Sequence, residues 1–184
     1  MDDNKKQTIV ATALEVFFKY GYKRVSMNEI AEAIGISRAG LYLSFNSKEE
    51  IFRAAIVQNS DILIEEIQKG LSLYQTTEEK ILYAFELWAI RNFDNSLQSP
   101  EYKEITDCSY QFAQEAIITS YAKFENLLAS LLEMHPSSIK SGISPDRVAH
   151  LITGSLRGFK TVAKSSTELR GMIQDLLQII LVNE

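Results

Sequence analysis

"SMNEIAEAIGISRAGLYLSF", residues 26–45, is the stretch on which the reading of the whole chain turns. Ser26 and Glu29 have the spacing of a capping box, so a helix is expected from 27 to about 34. Gly35 follows at the point where a left-handed backbone conformation costs glycine nothing. Ile36 and Leu41 then supply the apolar positions of a second short helix near 37–44, which can bury against Ile30, Ala31 and Ile34. Ala31 is small where the second helix must cross closely. Two short helices joined by a tight glycine-containing turn make a helix-turn-helix. An ordinary helical corner shares the pattern, and this stretch alone leaves that alternative open.

The second helix opens with Ser37-Arg-Ala-Gly40, a face that is small, polar and basic. Such a face suits the major groove of DNA, where base edges must come close to the helix. Arg38 carries the planar fork suited to guanine or to a phosphate, and Ala39 and Gly40 permit approach. Tyr42 can donate to a phosphate, and Leu43 faces outward beside it. Ser26 and Lys48 are expected to reach phosphates on either side.

Working outward, nearly every segment reads as helix. Ser47 to Glu50, Thr76 to Glu79 and Ser165 to Glu168 repeat the capping-box spacing. Ser99-Pro100 and Ser144-Pro145 place an N-cap before a proline in the first turn. Helices are expected near 5–20, 27–34, 37–44, 48–71, 77–95, 100–108, 110–134, 145–164 and 166–182, about nine helices in an all-α chain. The turn-forming segment 135–143 is the one notable loop.

The 184 residues, 46% of them hydrophobic, suffice for one large domain or a small one joined to a larger one. No apolar run is long enough for a membrane span, and the opening Met1-Asp-Asp-Asn-Lys-Lys6 lacks the basic-then-apolar order of a signal peptide. A cytoplasmic protein with no membrane partner is expected. Cys108 is the single cysteine, so no intramolecular disulfide can form. Charge is uneven. Residues 1–53 hold eight Lys/Arg against seven Asp/Glu, while the remainder holds eleven against seventeen, within a net charge of −5. The mildly basic front favours nucleic acid more than the total does.

Several blocks over residues 5–64 resemble the TetR (tetracycline-repressor-like) family. They are Ala13-Leu-Glu-Val-Phe17, Gly21-Tyr22, Ile30-Ala31, Gly35-Ile-Ser37, Gly40-Leu-Tyr42, Phe45 and Ser47-Lys-Glu-Glu50, in order and at the family's spacing. Two positions depart from the pattern. Ser44 stands where the family often has histidine, and Leu43 where it often has a polar or aromatic residue. The resemblance implies a three-helix DNA-binding region over 4–64, with its helix-turn-helix at about 27–46. It further implies that 65–184 form a ligand-binding and dimerisation domain.

The residues of the back half agree with a dimer. Leu151, Ser155 and Phe159 lie on an apolar stripe of helix 145–164, and Gly154 and Gly158, one turn apart, would let another helix approach. Leu169, Ile173, Leu176 and Ile180 recur at bundle spacing on the last helix. Packing within one chain is the alternative. Phe85, Trp88, Tyr102, Phe112, Tyr121 and Phe124 are candidates to line an effector pocket, although aromatics at helical spacing are more often ordinary core. Arg91 is either an anion partner there or a surface charge, and Cys108 is the one reactive side chain. His135 and His150 give no metal-ligand spacing.

A ligand-responsive DNA-binding regulator follows, expected to act as a repressor released from a palindromic operator when a small molecule binds the C-terminal domain. An all-helical protein-interaction module without sequence-specific DNA binding is the alternative. No phosphate-cradling loop, partnered nucleophile or metal set suggests an enzyme, and no cofactor is implied.

Overall fold

The computed structural model describes residues 3–140 and 142–182, so Met1, Asp2 and Ser141 of the segments read above lie outside the described residues. The chain is all-helical, and each of the nine expected helices is present. It divides into two compact units. Unit 1 comprises 1–62 and 98–120, and unit 2 comprises 63–97 and 121–184.

Unit 1 contains α1 (Asp3–Tyr20), α2 (Met27–Ile34), α3 (Arg38–Tyr42) and the first half of α4 (Lys48–Gly70). Its core gathers Ile9, Phe17, Tyr22, Ile30, Leu41 and Phe52, all buried. Phe17 meets Phe52 edge to face at 5.4 Å, and Tyr22 lies 4.5 Å from the same ring. The capping box on α2 forms as expected. The Glu29 N–H donates to Ser26 Oγ, and the Ser26 N–H donates to Glu29 Oε2. Gly35 closes α2 at φ 78°, with its N–H on the Ala31 and Glu32 carbonyls.

Unit 1 also takes in α7 (Pro100–Phe112) and the first turns of α8 (Gln114–Met134). The division at residue 64 assigned this segment to the second domain, and the packing corrects that. Ile105, Cys108, Ala113 and Ala116 bury in the same cluster as α1, α2 and α4.

Unit 2 contains α5 (Thr77–Phe85), α6 (Phe93–Gln98, to Leu97), the rest of α8, α9 (Pro145–Val162) and α10 (Ser166–Ile180). The helix expected over 77–95 is interrupted by a π turn at Glu86–Ile90, closed by the Arg91 N–H on the Glu86 carbonyl five residues back. The start of α10 is held by Asp94, whose carboxylate accepts from the Ser166 N–H at 2.6 Å and from its hydroxyl. Its end is held by Lys140, which donates to the Gln178 carbonyl at 2.6 Å. A lone antiparallel bridge joins Ile139 to Leu181 there.

Candidate nucleic-acid interface

The outward face of α3 is built from its own cap. The Gly40 N–H donates to Ser37 Oγ at 3.0 Å, so Ser37 starts the helix and keeps its own O–H and one lone pair to offer a ligand. A Cβ on Gly40 would lie 3.1 Å from that oxygen, so the glycine leaves the cap undisturbed. Leu41 alone on α3 points fully inward. Ser37, Arg38, Ala39, Tyr42 and Leu43 are exposed, Leu43 at 77%, and Gly40 is half-buried. The Arg38 guanidinium lies 5.6 Å from the Tyr42 ring centre, which holds cation and phenol together on one face. Ser26 is also exposed, with its Oγ engaged as acceptor in the capping box. Ser44, by contrast, is buried, and its hydroxyl has no hydrogen-bond partner among the described residues.

Lys48 departs from the expected phosphate contact. Its ammonium donates to the Tyr22 carbonyl at 2.9 Å and to the Val25 carbonyl at 2.8 Å, which leaves one of its three donors. The charge is committed to bracing the turn between α1 and α2. Lys6 went unnoticed in the sequence. It sits 5.7 Å over the Phe45 ring, close to the end of α3, and Lys5, Lys23 and Arg24 are exposed on the same unit. The mild positive balance of residues 1–53 was the only signal for them.

The proposed pocket residues do not come together. Tyr102 packs on Phe18 at 4.9 Å, Phe112 stacks on Tyr22 at 5.5 Å, and Cys108 is buried in the same unit 1 core. Burial pushes the Cys108 thiol above its ordinary value, the opposite of a reactive thiolate. Phe85, Trp88, Tyr121 and Phe124 do cluster in unit 2. Trp88 stacks on Phe124 at 4.5 Å and meets Tyr121 edge to face at 5.9 Å, while Phe85 and Phe124 are fully buried core. Arg157 lies 4.4 Å over the Tyr121 ring. Arg91 is engaged in a two-pronged pair with Glu66, at 2.7 and 3.1 Å, rather than left for a ligand.

The expected dimer residues also divide. Leu169 and Ile173 are fully buried in the core of unit 2, so they cannot meet a second chain. Ser155, Phe159, Leu176 and Ile180 are half-buried. Leu151 is 51% exposed, and a Cβ built on Gly154 or Gly158 meets nothing within 4 Å. Val162 on α9 and Ile179 on α10 are also exposed, Ile179 at 72%. On α10 the bundle spacing picks out two residues, Leu169 and Ile173, that face the unit's own core.

Comparison with known proteins fits this geometry. Residues 9–55 match the family described as bacterial regulatory proteins, tetR family. The HTH-type transcriptional activator FasR of Mycolicibacterium smegmatis is 32% identical over 85 residues, covering 46% of this chain and 38% of FasR. The A-factor receptor protein of Streptomyces griseus is 23% identical over 95% of this chain and 62% of its own length. The chain thus spans well under two thirds of FasR. In fold, the fatty acid degradation regulator FadR from Bacillus halodurans superposes with a TM-score of 0.70 over 94% of each chain, at 20% identity. No helix among the described residues is long and apolar enough to cross a membrane. The segment from α1 into α4 is thus matched by the tetR family of bacterial regulatory proteins, and the chain as a whole shares the fold of FadR.

Proposed function

We propose that the protein is a sequence-specific DNA-binding transcription regulator that responds to a small molecule and acts as a homodimer. The observation that carries this reading is the outward face of α3. It holds a cation beside a phenol, with small residues between them, on a helix whose only fully inward side chain is Leu41. Two such faces related by a two-fold axis would read two half-sites of a near-palindromic operator. The open glycine face of α9, with Leu151 and Val162, supports the dimer.

The effector would bind in unit 2, where the side of Trp88 and Tyr121 that remains exposed, with Arg157 above the tyrosine, offers aromatic and cationic contacts. One continuous helix, α4, contributes residues to both units, so an effector that shifted its second half would change how its first half presents α3. Effector and operator would then weaken each other reciprocally, which is repression relieved by ligand. The FasR relative is named an activator, so the sign of regulation is read from the experiment.

Fluorescence anisotropy against DNA from upstream of the protein's own gene, across a salt series, tests the reading. Saturable binding that outcompetes random DNA and falls steeply with salt is expected. Exposed Tyr42 and Leu43 also suit a protein partner. Arg38→Ala distinguishes the two, because only the DNA reading requires it to weaken DNA binding while fold and dimer persist.

A further inference from the structure

The turn that joins α1 to α2 is gripped from two sides. Gly21 adopts φ 80°, a left-handed conformation, and the chain then runs through Tyr22, Lys23, Arg24 and Val25 to the N-cap Ser26. On one side Lys48 donates to the Tyr22 and Val25 carbonyls. On the other, Glu104 of α7 accepts the Lys23 N–H at 2.6 Å, across 81 positions of sequence. Glu104 lies so close that a Cβ on Gly21 would be 3.0 Å from its Oε1 and 3.3 Å from its Cδ. Tyr102 against Phe18 and Phe112 against Tyr22 fix α7 on both flanks of this contact. All these residues belong to unit 1.

The placement of this turn decides where α2 begins, and Gly35 and Ser37 then set α3 from the end of α2. We propose that Glu104 is a positioning residue for DNA recognition: its carboxylate, carried over Gly21 by α7, fixes the α1–α2 turn and through it the orientation of α2 and α3. This rests on the DNA-binding reading above. Among the described residues Glu104 makes no hydrogen bond or ion pair with α3, and it offers nothing to a phosphate, since a carboxylate repels one. Its two possible influences on binding therefore have opposite signs. As a mere anion it lowers affinity for any DNA, and as a positioning group it raises affinity for the cognate sequence alone.

The test uses the full chain and two duplexes, one enriched by the wild-type protein from a randomised library and one of scrambled sequence. Glu104→Ala should lower the ratio of enriched to scrambled affinity about tenfold, the loss expected for one charge-assisted hydrogen bond. Scrambled-duplex affinity should hold or rise, and the salt slope on the enriched duplex should stay unchanged, because no phosphate contact is removed. Glu104→Gln keeps an acceptor oxygen and should recover most of the ratio. An unchanged ratio in Glu104→Ala, with both affinities moving together, would overturn the proposal. Should that variant not fold, Glu104→Asp, one methylene shorter, carries the same comparison, and a full wild-type ratio there overturns it equally. A wild-type protein that enriches no sequence refutes the DNA reading itself, which is a separate and distinguishable result.

Discussion

Lys48 sits with its ammonium 4.3 Å above the centre of the Tyr22 ring while donating to the carbonyl of that same residue. Together with the bond to Val25, the contact ties the start of α4 to the turn before α2. Lys48→Met should keep the stem and lose two charge-assisted bonds, lowering stability by about 2 kcal/mol. Thermal unfolding measures this. Unchanged melting with a salt slope on DNA smaller by about one would instead place the ammonium on a phosphate.

Arg38 makes no ion pair with a carboxylate among the described residues, and its guanidinium is exposed beside Tyr42. Arg38→Ala should therefore leave melting unchanged and cost about 1–3 kcal/mol of operator binding, the range for a good base contact. Equal losses on cognate and scrambled duplexes would assign it to the DNA backbone.

Gly154 is exposed in the middle of α9 with open space around it. In an isolated chain Gly154→Ala would stabilise the helix by up to about 1 kcal/mol. Gly154→Glu should fold normally yet sediment as a monomer, because a charge would stand where a second helix is expected. A dimer that survives the substitution would move the interface elsewhere.

Phe124 is fully buried between Phe85 and Trp88. Phe124→Ala should cost about 4 kcal/mol, by lost transfer energy and the cavity left behind. Denaturant unfolding gives the value, and a loss below about 1 kcal/mol would show that this part of unit 2 collapses readily around the gap.

The pH dependence has a definite sign. Glu29, Glu79 and Asp94 are held below the ordinary carboxylate range by backbone and hydroxyl donors at helix starts, and Glu66 by the Arg91 guanidinium. Groups depressed in the fold contribute stability above their unfolded values and lose it as pH falls toward the folded ones. Tyr22 runs the other way. Burial, then the Glu49 carboxylate, raises it above its ordinary 10.0, so its contribution is present below that value and is lost at higher pH. The denaturant midpoint should accordingly decline both in acid and in strong alkali. A midpoint that stays flat through the carboxylate range would refute the first arm.

Helices were legible because their ends are written locally. The boxes at Ser26 and Thr76 form as spaced, and Ser99 caps α7. The spacing misled where a nearer partner competed. The Glu50 carboxylate turns to Asn46 and the Glu168 carboxylate to the Lys164 N–H, so those boxes close on one side only, and the Ser144 side chain makes no capping bond. The π turn left no trace, since Glu86 to Ile90 read as any amphipathic helix. The exposed face of α3 was legible, but the bracing role of Lys48 was not, because its charge is answered by backbone carbonyls that no side-chain pattern announces. Glu104 was illegible for the same reason, being paired with a peptide group 81 positions away.

The discontinuity of unit 1 bears on how chains of this fold can be recombined. The family match ends at residue 55, and a chimera grafting that segment onto another protein's effector domain would look complete on an alignment. It would nevertheless leave behind Ile105, Cys108, Phe112 and Ala116, baring Phe18 and Tyr22 along one flank of the reading head. The transplantable module is therefore two pieces of chain, 1–62 with 98–120. A hybrid that borrowed only the first piece would need its new host to supply an α7 that fits, including an acceptor for the Lys23 N–H.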